Sequence, residues 1–284
     1  MLKIKKLMSG LVFVSLVMSG LTATTQAETT QPILEDGVLD VAISGTLYPA
    51  NYYDDDQQLK GYNVEILERV AEELGVELKF HEMGVDGMFA ALTSGQIDVV
   101  GEGLQPTKQR KKDFLIGEPI KYSFTSTIVR GDDSSNIHSL DDFKGKKAAG
   151  AATTNYMLIA HQLGAEMVTY DNATSEQYLL DVAHGRTDFI PNDYYLQITA
   201  LKYYGHLNVK LGDVFYNPSS SSFVYRKDSN ELQEKVDEVI RKMQDEGKLT
   251  ELSKKYYEGE DVSVQREDIH GIAISDLPVI ELED

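Results

Sequence analysis

Short apolar strands alternate with amphipathic helices along this chain, and that alternation restricts its possible folds more than any other feature. Val38–Ser44 has the composition of a buried strand, Val64–Leu74 carries apolar residues at helical spacing, and Val76–Phe80 alternates like a second strand. A short helix over Gly87–Thr93 and a strand over Ile97–Val100 complete the run. Consecutive strand–helix–strand units of this kind predict parallel βαβ structure.

A second run of the same kind follows. Its sequence predicts strands over Lys146–Gly150, Glu166–Tyr170 and Thr187–Ile190. Helices are predicted between them, over Thr154–Leu163 and Ser175–Ala183. The chain therefore contains two α/β runs of similar order.

The two runs also share a short pattern. Gly95–Val100 and Gly185–Ile190 each place an Asp three residues after a Gly that ends a helix, followed by two apolar strand residues. A predicted loop follows each strand, Gly101–Gly103 in the first run and Pro191–Asp193 in the second. We therefore predict an α/β fold with two lobes that face each other.

Two extended segments connect the predicted lobes. Ser123–Arg130 leads into the second lobe and Ser219–Arg226 leads out of it, and as antiparallel crossing strands they would form a hinge. The predicted organisation is a signal peptide at 1–27, lobe 1 at 28–127 and 220–262, lobe 2 at 128–219, and an acidic C-terminal tail at 263–284 with a short strand near 278–282.

Residues 1–27 have the pattern of an export signal. A basic start with three lysines precedes an apolar core at 11–18, and Thr25-Gln-Ala27 is an acceptable cleavage site. A retained membrane anchor is the alternative. The chain has no cysteine, so neither disulfides nor a lipidated N-terminal Cys can form. We expect an exported protein that is extracellular or associated with the cell surface by other means.

Net charge excludes some partners. Residues 1–27 hold three Lys and no acids, so residues 28–284 carry 24 basic and 46 acidic side chains, a formal charge of −22. That charge argues against nucleic-acid binding and against binding to anionic lipid surfaces.

The six His are scattered without metal-ligand spacing, and Asp54-Asp-Asp56 lacks the alternate-ligand spacing of a calcium loop. We expect no metal and no cofactor.

The segment after Gly95 carries the strongest chemical signal. Gly101 and Gly103 would let the backbone approach a group beyond the strand, and Thr107 is a plausible N-cap for the helix that follows. The first turn of that helix contains Arg110 together with three lysines, Lys108, Lys111 and Lys112. Cations are disfavoured at a helix N-terminus, so either an anion binds there or the side chains form a solvated basic face.

In combination, the motifs resemble those of the extracellular solute-binding proteins of polar amino-acid ABC importers, the family-3 type. They are Gly45-Thr-Leu-Tyr48-Pro, Leu59-Lys-Gly-Tyr-Asn-Val64, Leu92-Thr-Ser-Gly-Gln-Ile-Asp98, Thr107-Lys-Gln-Arg110, Gly145-Lys, Ala152-Thr-Thr-Asn155, Gly185-Arg-Thr-Asp188 and Asn192-Asp193. The resemblance covers about residues 33–260. It implies a two-lobed, periplasmic-binding-protein-like fold of type II that closes on an amino acid and hands it to a membrane permease.

The resemblance also implies roles for individual residues. Arg110 would grip the ligand α-carboxylate and Asp193 would take the α-ammonium group. Arg offers a bidentate geometry that Lys lacks, and an unpaired Asp in a closed cleft would cost several kcal/mol. The other implied positions are Gly103, Gln105, Thr153 and Thr154 at the carboxylate, and Tyr48 and Val85 in the side-chain pocket. Alternatives remain open: an Asx-turn for Asp193, a surface ion pair for Arg110, and simple packing for Tyr48.

Some positions depart from the family pattern. Gln105 stands where Ser or Thr is usual, Ala152 stands where Gly is usual, and Val85 replaces a frequent aromatic residue. A polar pocket with Gln105, Asn155 and Tyr48 favours a polar or cystine-like ligand.

Two other functions stay open. The absent lipid anchor and the acidic tail are compatible with a surface adhesin, as an addition to transport. A prephenate or arogenate dehydratase on the same fold would need a cleft acid, for which Glu102 is the candidate. We expect a binding protein rather than an enzyme, a monomer, and an ABC permease as its partner.

Overall fold

The computed structural model describes residues 37–170 and 172–282, so the predicted signal peptide at 1–27 lies outside the described residues. The strands of this part are β1 (Val38–Ile43), β2 (Thr46–Leu47), β3 (Asn51–Tyr53), β4 (Leu59–Lys60), β5 (Glu77–Glu82), β6 (Val99–Leu104), β7 (Leu115–Arg130), β8 (Lys147–Gly150), β9 (Glu166–Thr169), β10 (Phe189–Asp193), β11 (Val209–Leu211), β12 (Tyr216–Tyr225), β13 (Asp268–Ile269) and β14 (Ile272–Ala273). The helices are α1 (Tyr62–Leu74), α2 (Val85–Ser94), α3 (Lys108–Asp113), α4 (Asn155–Gln162), α5 (Ser175–Ala183), α6 (Tyr194–Tyr203), α7 (Asn230–Asp245) and α8 (Lys248–Tyr256).

One mixed sheet passes through both lobes. Its strand order is β5-β1-β6-β12-β7-β10-β8-β9, and β11 adds to β7. β1 runs parallel to β5 and β6, and β8 runs parallel to β9 and β10, as the two βαβ runs predict. β7 and β12 are antiparallel to each other in the middle of the sheet. The predicted two-lobed α/β fold with two crossing strands is therefore confirmed.

Each side of the crossing strands has its own apolar core. We call the side with β1, β5 and β6 the first lobe, and the side with β8, β9 and β10 the second lobe. In the first lobe, α1 and α7 bury apolar stripes against the sheet, including Ile66, Val70, Val236 and Ile240. In the second lobe, Phe143, Met157 and Phe189 belong to a separate cluster. Such stripes form because apolar residues recur at the helical period.

Both predicted loops turn out to be strand. β6 continues to Leu104 and β10 continues to Asp193, because each gains an antiparallel partner. Ser222 of β12 lies opposite Leu104, and Thr125 of β7 lies opposite Asp193. Gly101 allows close packing inside the first lobe and does not provide space for a ligand. A Cβ added at this position would lie 2.6 Å from Val41 Cγ1.

The C-terminal residues fold back onto the protein. β13 and β14 form a hairpin, but the strand expected near 278–282 does not form. Instead, the side chain of Asn217 donates a hydrogen bond to Ile280 O (2.8 Å), and Ile280 packs against the second-lobe core with Leu282. Among the described residues no helix is long and apolar enough to cross a membrane.

Candidate ligand-binding site

A cavity lies between the lobes, at the carboxyl ends of β1, β6, β8 and β10. Ligands of α/β sheets bind at such strand ends. Its volume, counted as the space open to the centre of a water-sized sphere, is about 140 Å³. Four of the predicted site residues line it, namely Tyr48, Val85, Gly103 and Thr154. The other five lie beyond its walls: Arg110, Asp193, Gln105, Thr153 and Asn155.

Arg110 is a buried cation held by backbone carbonyls. Its guanidinium donates to Gln105 O (2.9 Å) and to Thr153 O (3.1 Å), and its Cζ lies 5.2 Å from the ring centroid of Phe89. Burial lowers the pKa of Arg110 to about 10, which leaves the group charged at neutral pH. Among the described residues, no carboxylate forms an ion pair with it. A buried cation without a counterion is a suitable position for an anionic group.

The local sequence explains how Arg110 comes to lie inward. Thr107 is the N-cap of α3, as predicted, and its hydroxyl accepts a hydrogen bond from Arg110 N (3.1 Å). Three lysines of the same helix are exposed: Lys108, Lys111 and Lys112. Lys108 pairs with Glu281 of the C-terminal tail.

Asp193 already has a cationic partner. Its Oδ2 lies 2.7 Å from Lys121 Nζ, and both side chains are almost fully buried. Its Oδ1 accepts a hydrogen bond from Leu196 N (3.0 Å), so Asp193 is also the N-cap of α6. The sequence analysis missed Lys121, which lines the cavity while Asp193 does not. No motif marks Lys121, because its partner comes from a distant part of the chain.

Gln105 and Asn155 meet across the cleft rather than at the cavity wall. Asn155 Nδ2 donates to Gln105 Oε1 (2.8 Å), and Gln105 Nε2 donates to Ser219 Oγ (2.7 Å). These two residues therefore tie α4 of the second lobe to the end of β6 and to β12.

Thr153 also forms hydrogen bonds between the two lobes. Its backbone N–H donates to Asp86 Oδ1 of α2 (3.0 Å), and its hydroxyl donates to the same oxygen (2.5 Å). On another side of the cavity, Asn172 Nδ2 donates to Ser44 O (3.0 Å). These hydrogen bonds connect residues of the two lobes directly.

Glu102 is a second buried acid and part of the cavity wall. It accepts hydrogen bonds from Ser44 N (2.9 Å), from Ser44 Oγ (2.9 Å) and from Asn51 Nδ2 (3.1 Å). Burial raises the pKa of Glu102 to about 7, although these hydrogen bonds favour the charged form. No cation pairs with Glu102 within the described part of the chain.

The cavity is also lined by Tyr48, Tyr156 and Tyr178. Tyr48 packs at 4.4 Å, between ring centroids, on Tyr203 of the second lobe. Tyr156, a residue that the sequence analysis missed, lines the cavity. Burial raises its pKa well above the usual value, the charge of Asp193 adds to this, and the charge of Arg110 opposes it. Tyr156 therefore lies within electrostatic range of both predicted ionic groups.

Comparison with known proteins fits this geometry. The model of the family described as "Bacterial extracellular solute-binding proteins, family 3" matches residues 39–259. The chain belongs to this family. Family 3 membership accounts for the two lobes, the crossing strands and the cavity between the lobes. Within the described residues, no group of three or more His, Cys, Asp or Glu could hold a metal ion.

Similar proteins include two from Bacillus subtilis (strain 168). The probable ABC transporter extracellular-binding protein YckB is 46% identical over 237 residues, covering 82% of this chain and 83% of YckB. The L-cystine-binding protein TcyA is 36% identical over 234 residues, covering 81% of this chain and 85% of TcyA. A crystal structure of YckB matches with a TM-score of 0.66 and 45% identity, over 87% of this chain and 97% of that one.

Proposed function

We propose that this solute-binding protein binds an L-amino acid between its lobes and delivers it to the permease of an ABC importer. The observation that carries the proposal is Arg110, a buried cation that has no counterion among the described residues and lies beside the cavity between the lobes. The names of the relatives add support, since YckB is named for an ABC transporter and TcyA for L-cystine. A polar or cystine-like ligand is the proposed class.

Arg110 is proposed to bind the α-carboxylate of the ligand. Two of its five N–H donors bind Gln105 O and Thr153 O, which leaves three for a ligand. Gly103, Gln105, Thr153 and Thr154 surround this position in the proposal. Binding a carboxylate would give the buried guanidinium the counterion that it lacks.

Other residues are proposed to bind the α-ammonium group and the side chain of the ligand. Asp193 is the proposed partner of the α-ammonium group. This interaction requires that the ion pair between Lys121 and Asp193 break. Tyr48, Val85 and Asn155 are proposed to shape the side-chain pocket. The proposal places the lobe boundaries at 28–127 with 220–262 and at 128–219, with a signal peptide at 1–27.

The wider proposal concerns where and how the protein works. It is exported, acts as a monomer at the cell surface and carries out no catalysis. A turnover assay with prephenate tests the last point, because Glu102 is the acid that a dehydratase on this fold would use. We expect no loss of prephenate.

A ligand screen tests the proposed function. The chain without residues 1–27 would be heated with each of the twenty common L-amino acids and with L-cystine. A ligand that binds only the folded state raises the melting temperature according to its concentration and affinity. We expect at least one compound to raise it, with a dissociation constant that calorimetry then measures. If none of these compounds binds, the proposed function is wrong.

A further inference from the structure

Lys121 occupies the place that the proposed function assigns to the ligand. Lys121 Nζ lies 2.7 Å from Asp193 Oδ2, and the two side chains are only 7% and 2% exposed. Of this pair, Lys121 lines the cavity and Asp193 does not. The lysine therefore covers the aspartate on the side from which a ligand would approach.

A lysine is a good substitute for a ligand's ammonium group. Both are compact ammonium ions with three N–H donors and one positive charge. A buried carboxylate is strongly destabilised without a partner, and Lys121 provides that partner from within the chain. A ligand ammonium would thus meet an aspartate that is already neutralised.

The pair also joins different parts of the sheet. Lys121 lies on β7 opposite Ser221 of β12, before the stretch of β7 that pairs with β10. Asp193 ends β10 and begins α6 of the second lobe. The ion pair therefore holds β10 of the second lobe against the part of β7 that pairs with β12.

We propose that Lys121 is a specificity-determining residue, an internal counterion that the α-ammonium group of the ligand must displace from Asp193. This inference rests on the proposed function. Two consequences follow. Lys121 weakens the binding of every ligand with an α-ammonium group, because it competes for Asp193. It also stabilises the closed arrangement of the lobes before a ligand binds, because the pair forms without one.

Lys121→Met tests the inference, because Met keeps the length of the side chain and removes its charge. Calorimetry would measure the affinity for the best L-amino acid of the screen and for its des-amino analogue. We expect the amino acid to bind at least tenfold more tightly than to the wild type, with no gain for the analogue. Lys111→Met, the same change at an exposed position, should leave both affinities unchanged.

Small-angle scattering gives a second measurement. Without ligand, Lys121→Met should have a larger radius of gyration than the wild type, because opening the lobes would hydrate the unpaired carboxylate of Asp193. An unchanged radius would show that the ion pair does not hold the lobes together. Should Lys121→Met fold poorly, Lys121→Gln removes the same charge with a polar side chain.

Two outcomes separate the inference from the proposed function. Equal or weaker binding of the amino acid to Lys121→Met or Lys121→Gln overturns the inference, since Lys121 would then be a fixed partner of Asp193 and the ligand ammonium would bind elsewhere. The proposed function survives that result. A wild type that binds no amino acid overturns the proposed function itself.

Discussion

Four basic side chains lie in the first turns of α3, and Arg110 is the one that is buried. The N-cap at Thr107 fixes the start of the helix and thereby points the third helical residue inward, while the three lysines remain exposed. This outcome could be predicted from the sequence, because an N-cap and a helical period are local features.

The partner of Asp193 could not be predicted in the same way. Lys121 sits in the middle of a strand without any motif, and strand pairing brings it to Asp193 from a distant part of the chain. Tyr156 was not predicted as a site residue for a similar reason, because its neighbours Asp193 and Arg110 come from other elements.

Glu102 gives a prediction about pH. Its pKa is about 7 in the folded protein against 4.5 for the ordinary group, so the folded state holds this proton more tightly than the unfolded state does. The unfolding free energy should therefore fall as pH rises from about 4.5 to about 7, by roughly 3 kcal/mol for this group.

Urea unfolding of the wild type and of Glu102→Gln, at a series of pH values, isolates that contribution. We expect the difference in unfolding free energy, wild type minus variant, to fall by roughly 3 kcal/mol between pH 4 and pH 8. A difference that stays constant with pH would show that Glu102 ionises normally.

Among the secondary-structure elements, the sequence predicted the strands and helices of the two βαβ runs but not where two of those strands end. Hydrophobic periodicity is local, so α1 and α5 appear where it predicts them. The extension of β6 and β10 depends on pairing with β12 and β7, which is a tertiary effect. Helix α6 was missed, because it follows directly from the end of β10.

Gly101 of β6 tests the packing of the first lobe. A Cβ at this position would lie 2.6 Å from Val41 Cγ1 and 2.8 Å from Leu67 Cδ1. Gly101→Ala should therefore lower the unfolding free energy by about 1–3 kcal/mol, as overpacked cores do. Urea unfolding measures the change.

Gly87→Ala is the matched control. Gly87 lies in α2, and a Cβ there would meet no atom within 4 Å. We expect this variant to be more stable by about 0.5–1 kcal/mol, because Ala favours the helix over Gly. Equal effects of the two substitutions would contradict the packing described for β6.

In the whole molecule, we expect the two lobes to close on the ligand. Asp86 of the first lobe accepts two hydrogen bonds from Thr153 of the second, and these can form only when the lobes are together. Asp86→Ala should weaken ligand binding about thirtyfold, since it removes two hydrogen bonds of about 1 kcal/mol each. Asp86→Asn keeps an acceptor and should lose less, and calorimetry compares the two. An unchanged affinity in Asp86→Ala would show that closure does not depend on this contact.

The central claim is that Arg110 holds the carboxylate of an amino acid between the lobes. Its most direct test is calorimetry of the best ligand from the screen with the wild type, Arg110→Ala and the exposed control Lys111→Ala, after circular dichroism has shown that all three are folded. Removing one member of a buried charge pair costs about 2–5 kcal/mol. We therefore predict at least a thirtyfold loss of affinity in Arg110→Ala and no change in Lys111→Ala. Near-native affinity in a folded Arg110→Ala protein would show that Arg110 does not hold the ligand carboxylate.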